Sequence, residues 1–139
     1  MNNQLQSLGK TFVMAAVFCL ASSFTLNAQL RDTEITIHLR GVYGCKISLL
    51  ALSGSGTFKP IAEVEGVKNG ETARIRVSGQ FLPGEFVLRF DYKETETSTP
   101  YPSEKSIIIS GQNLELWGNP KFCNNADSTW FQTGEMENA

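Results

Sequence analysis

Chemistry in a polypeptide begins with nucleophiles, metal ligands and titratable pairs, and this chain offers few of them. His38 is its single histidine, and no cysteine or second histidine stands at metal-ligand spacing from it. Alternation along its segment places it on a solvent face, without a partner for acid–base work. Ser53 and Ser55, in Ser-Gly-Ser-Gly, lack the strand-to-helix turn that exposes a hydrolase nucleophile. Asp32 with Glu34, or Asp91 with Glu94, has the residue types of a carboxylate pair. On short strands such charges serve instead to keep a sheet edge soluble. Glu94 and Glu96, and Glu135 and Glu137, read as solvated loop and tail charges. The residues define no catalytic, cofactor-binding or metal-binding set, so the expectation is a non-enzymatic protein.

The N-terminus carries the clearest signal. Lys10 provides a positive n-region, residues 11–20 (TFVMAAVFCL) an apolar h-region, and Ala28 a small residue at the cleavage position. Residues 1–28 therefore read as a secretory signal peptide, too short and too polar at its end to span a bilayer comfortably. Export to the periplasm, outer envelope or exterior follows. With Cys19 removed, Cys45 and Cys123 remain in a compartment that permits disulfides. They form no Cys-x-x-Cys motif. Three states stay open: a structural disulfide, two unpaired buried thiols, or a reactive thiol. A bond would close a long loop, worth roughly 4 kcal/mol in the chain-entropy account. Cys45 shares its face with Ile47 and Leu49, where a free thiol behaves as a small hydrophobe.

Aromatic residues offer the one binding hypothesis. Trp117 falls on the opposite face from Leu114 and Leu116, while Trp130-Phe131 lies in a segment without strand period. Together with Tyr101, placed in a loop, they form the candidate binding surface: aromatics stack on sugars and anchor protein partners. The alternative is that the tail folds back and these rings cover the edge of the fold. The overall charge, 12 Lys and Arg against 14 Asp and Glu, argues against nucleic acid, whose phosphates require a basic patch.

The elements that would position these groups are short alternating runs broken by Gly, Pro and Asn. Residues 34–40 alternate cleanly, with Ile35, Ile37 and Leu39 on one face. Residues 45–52 are apolar on both faces, which suggests a central strand. Gly54-Ser55-Gly56 makes a turn. Asn69-Gly70 signals a two-residue hairpin between strands carrying Ala62 and Val64, then Ala73, Ile75 and Val77. Pro83-Gly84 fits a type II turn into residues 85–93. A loop over 94–103 precedes strands at 105–110 and 113–117, separated by Gly111-Gln112. The pattern predicts an all-β domain over 29–118, an antiparallel sandwich of about seven strands, immunoglobulin-like or transthyretin-like in order. An irregular tail occupies 119–139.

Residues 105–139, with the preceding Pro83-Gly84-Glu85-Phe86-Val87-Leu88, resemble a module of secreted Bacteroidetes proteins. The shared features are the Ile-rich strand, Asn113-Leu114-Glu115-Leu116-Trp117, Asn119-Pro120, the Asp127-Ser128-x-x-Phe131 step and Glu137-Asn138. In that family an N-terminal β-sandwich of unknown function precedes a thioredoxin-like (redoxin) domain. The resemblance implies an accessory domain that positions a redox domain or contacts its substrate, with a protein partner and no cofactor. The redoxin cysteine motif is absent here, so no catalytic residue carries over. Residues 133–137 look like a helix start with an N-cap and acidic first turn, which suggests a linker toward a missing redox domain and a truncated gene product. A stand-alone carbohydrate-binding or adhesion module of the envelope is the rival expectation. It would expose coplanar aromatics, whereas an accessory domain would bury Trp130 and Phe131.

Overall fold

A period of two buries every second residue of a strand against one face. The computed structural model shows this in β1 (Thr33–Leu39), where Thr33, Ile35, Ile37 and Leu39 are buried between half-exposed polar neighbours. The structure describes residues 30–53 and 59–138; the signal segment and the Gly54-Ser55-Gly56 turn lie outside the described residues. After β1 come β2 (Gly44–Ala51), β3 (Pro60–Val67), β4 (Thr72–Val77), β5 (Gly84–Lys93), β6 (Tyr101–Ile109), β7 (Leu114–Gly118) and β8 (Trp130–Phe131).

The strands make two four-stranded sheets, β4-β1-β7-β8 and β3-β2-β5-β6. Their facing sides share one apolar core, so the domain is an all-β sandwich. Ile35 and Ile37 of β1 and Leu114 and Leu116 of β7 meet Ile47 and Leu49 of β2 and Phe86, Leu88 and Phe90 of β5, all at most 2% exposed. Each such side chain contributes about 1.5–3 kcal/mol of burial. β2, apolar on both faces, lies between β3 and β5 as a central strand should. Every pairing is antiparallel except β1 with β7, which is parallel.

Several expectations are corrected. Asn69-Gly70 does not close a hairpin, because β3 pairs with β2 and β4 with β1, in opposite sheets. Gly70 has φ +80° but Asn69 has no positive φ, so the hairpin turn geometry is absent. Instead Asn69 Oδ1 accepts from the Gly41 amide at 2.7 Å, and the Gly70 amide donates to the Leu39 carbonyl at 2.8 Å. The pair anchors an arch that carries the chain between sheets. Gly111-Gln112 likewise joins β6 of one sheet to β7 of the other. Pro83-Gly84 is not a type II turn: the Leu82–Pro83 bond is cis and Gly84 lacks a positive φ. Gly84 opens β5, where a Cβ would come within 3.0 Å of the Phe81 carbonyl and the Phe86 ring.

The tail is more ordered than its sequence implies. Trp130 and Phe131 form β8, an eighth strand, on the edge of β7. No helix begins at 133–137; Gly134 takes φ +92° and the Glu135 amide closes a turn onto the Gln132 carbonyl. Glu135 is not a solvated charge but 6% exposed, its carboxylate accepting from the Gln112 amide and from the backbone amides of Glu137 and Asn138. Tyr101 is not in a loop: it starts β6, opposite Tyr92, with ring centroids 6.0 Å apart.

Candidate functional site

The outer face of the β4-β1-β7-β8 sheet brings together His38, Trp117 and Trp130 of the side chains singled out above. Register does the gathering. His38 of β1 stands beside Thr72 of β4 on one side and Trp117 of β7 on the other, and Trp117 stands beside Trp130 of β8. Neighbouring strands are spaced about 4.8 Å apart, so flat side chains on this row can stack as rungs. They do: His38 and Trp117 centroids lie 4.9 Å apart at 16°, and Trp117 and Trp130 lie 6.5 Å apart at 9°. The Arg40 guanidinium sits 4.4 Å from the Trp130 ring centre and donates to the Ser128 carbonyl at 3.0 Å. Arginine over indole is a favourable cation–π pair.

The ladder has a chemical consequence. Trp117, half-buried, engages His38 on one side and Trp130 on the other, so the rings are stacked rather than coplanar. A stacked row turns edges to solvent, and a sugar ring stacks on a face. Trp130 itself is 39% exposed, and Phe131 is partly buried against the core. The two residues expected to share one fate are thus split by the alternation of β8.

His38 has partners after all. Its Nδ1 lies 3.0 Å from Thr72 Oγ1 and its Nε2 lies 2.7 Å from Glu115 Oε1. With Nε2–H donating to the carboxylate, Nδ1 accepts from the hydroxyl, which is the order used in nucleophile relays. The side chains of His38 and Glu115 are 33% and 41% exposed. Electrostatic catalysis draws its strength from water-excluded sites, and this array is open. Its direct effect is to tie β4, β1 and β7 together across their outer face. Glu115 is far from His38 in sequence, and only the parallel β1–β7 register brings them together.

Two grooves flank the ladder, the first mainly polar and the second mainly apolar. One, of about 530 Å³, lies over Thr36 between Glu34, Arg74, Asn113, Glu115 and Gln132. The other, also about 530 Å³, runs round the sheet edge between Lys105, Asn124, Trp130, Phe131, Gln132 and Thr133. Gln132 lines both. Asp32 is held by Arg76 and by the Gly79 amide, and Asp91 by Arg89, so neither forms a carboxylate pair. The Gly79 amide above all, and Arg76 with it, holds the Asp32 carboxyl below its usual range. Among the described residues no group of three His, Cys, Asp or Glu is placed to hold a metal ion. Nor, among them, is any helix long and apolar enough to cross a membrane.

Cys45 and Cys123 are two free thiols, both buried in the core. Cys45 donates to the Lys46 carbonyl at 3.4 Å and Cys123 to the Glu104 carbonyl at 3.3 Å. Burial, with the Asp91 carboxylate nearby, pushes the Cys45 thiol up to about 12, away from the thiolate that nucleophilic chemistry needs.

No known family and no curated protein matches the sequence. Among solved structures, the chain is similar over 74% of its length to wild-type pneumolysin, at 11% identity and a TM-score of 0.36. It is similar over 73% to the human-specific toxin intermedilysin, at 12% identity and a TM-score of 0.33. The chain spans 23% and 22% of those two proteins. Likeness at this level says nothing of function.

Proposed function

We propose that this is an exported, non-catalytic accessory domain that contacts a protein partner, a thioredoxin-like redox domain being the partner its sequence resemblance implies. Binding would proceed by shape and apolar burial around Trp117, Trp130 and Phe131, without a cofactor, in the periplasm or at the cell surface. An accessory domain whose tail only covers the fold would bury Trp130 with Phe131, and Trp130 is exposed. The reading is carried instead by Trp130 as a contact residue, beside Arg40 at the end of a stacked ladder. Trp and Arg are the residue types that dominate interface energy, and a rigid ladder loses little entropy on contact. Tyr101 lies on the other sheet and stands outside this surface.

A second reading, a stand-alone carbohydrate-binding or adhesion module, is favoured by the polar groove over Thr36, which meets the aromatic groove of Trp130 and Phe131 at Gln132. Acrylamide quenching of tryptophan fluorescence separates the two. The accessory reading expects Trp130 to be quenched and Trp117 shielded, with soluble neutral polysaccharide changing neither and a thioredoxin-like domain added in trans protecting Trp130. Protection by polysaccharide, lost in Gln132→Ala, would replace the first reading with the second.

A further inference from the structure

β8 is the outermost strand of its sheet, and the register with β7 fixes what its edge offers. Phe131 stands opposite Leu116, and the Gln132 amide donates to the Glu115 carbonyl at 2.9 Å. Backbone groups of an antiparallel pair alternate in direction from one residue to the next. The Phe131 amide and carbonyl therefore point away from β7, while those of Trp130 point toward it. Neither group of Phe131 meets a partner among the described residues. Phe131 thus presents one donor and one acceptor, side by side, at the mainly apolar groove that runs round the sheet edge.

The same groove holds an uncommitted cation. Half-buried Lys105 of β6 has the parity of the buried Ile107 and Ile109, so its side chain leaves the strand on the inner side of the sheet. Its ammonium lies 5.5 Å from the centre of the Phe131 ring. Among the described residues it pairs with no carboxylate. Glu135 is the one carboxylate lining the groove, and it is already spent. It accepts from the Gln112 side chain, from two backbone amides and from Asn138 Nδ2. An ammonium held beside an aromatic ring and short of a counter-ion is completed by a carboxylate that the ligand brings.

The geometry points to an extended peptide segment of the partner as the ligand of this groove, with an Asp or Glu flanked by apolar residues. The protein itself sets the register, because Phe131 is the one residue of β8 whose backbone groups face outward. A peptide residue that takes both bonds lies opposite Phe131, and residues opposite one another turn their side chains to the same face. That face is the Lys105 side, where a carboxylate fits. The flanking residues fall on the Trp130 face, where apolar side chains find the end of the ladder. A uronic acid would answer Lys105 and leave Phe131 unanswered. The inference rests on the accessory-domain reading, since it names the chemistry of a partner at the same Trp130 and Phe131 surface.

Titration with the blocked peptide acetyl-Thr-Val-Glu-Val-Thr-amide, followed by tryptophan fluorescence, tests it. Saturable binding is expected, weakened roughly fivefold when the peptide carries Gln in place of Glu. N-methylation of the Glu amide keeps the carboxylate and removes the donor to the Phe131 carbonyl, and should weaken binding about tenfold. In Lys105→Gln protein the Glu and Gln peptides should bind alike. The peptide changes leave the protein intact, and folding of the Lys105→Gln variant is read from its urea midpoint. The inference is overturned if the native protein does not bind the peptide, or if the Gln or N-methyl peptide matches the parent. It is also overturned if oligogalacturonate binds through Lys105 while the peptide does not, which would assign the groove to an acidic sugar. Peptide binding without protection of Trp130 by a thioredoxin-like domain would uphold this inference and remove that domain as the partner. Protection by the domain with no peptide binding would do the reverse.

Discussion

At the scale of single residues, burial decides which groups retain chemistry. Cys45 sits between Ile47 and Val67 of its own sheet's inner face, 4% exposed, and its thiol is raised from 9.0 to about 12. The folded value lies above the unfolded one, so the stability this sets is fully present below pH 9 and drains away as pH rises from 9 toward 12. Urea midpoints are expected to fall over that alkaline window, and a Cys45→Ala protein to fall less steeply. In the same window the native thiol should react with a disulfide reagent only as fast as the protein opens. His38 teaches the complementary lesson. Its strand face was legible from alternation, while its partners Thr72 and Glu115 were not, because a face carries no information about which strand lies alongside.

Among the elements, the arch at Asn69-Gly70 is the instructive case. Gly70 holds φ +80° in open space, where a Cβ would meet nothing. Gly70→Ala therefore tests backbone conformation without steric clash, and should cost about 1 kcal/mol in denaturant unfolding. Asn69→Ala should cost a similar amount through the lost bond to the Gly41 amide. Strand positions were legible in the sequence because period-two alternation is local, and β1, β2, β4 and β5 lie within a residue or two of expectation. Pairing was not. Asn-Gly favours a tight turn whether the chain returns along the same sheet or steps across to the other, and only the burial demands of β1 and β2 settle the matter. β8 escaped for a different reason: two residues are too few to show any period, and Trp130-Phe131 joins β7 because its ladder and the Gln132 amide bond to Glu115 reward it.

For the whole molecule, the order in which the chain visits the sheets is the governing fact. It enters one sheet with β1, makes β2 and β3 in the other, returns for β4, leaves for β5 and β6, and finishes with β7 and β8. Contacts are consequently long in sequence, which places folding in the millisecond-to-second range typical of sandwiches. Stopped-flow refolding monitored by Trp117 and Trp130 should show a single phase on that scale. The parallel alignment of β1 with β7 adds a mechanical property. A pull on the chain ahead of Thr33 and beyond Gly118 draws these neighbours in opposite directions along their length, so five aligned residue pairs resist together in shear. β8, attached to β7 by two residue pairs, would detach first. A force ramp on the tethered domain should therefore show a small early extension followed by one large, abrupt rupture, the signature of a module able to bear load between whatever it joins.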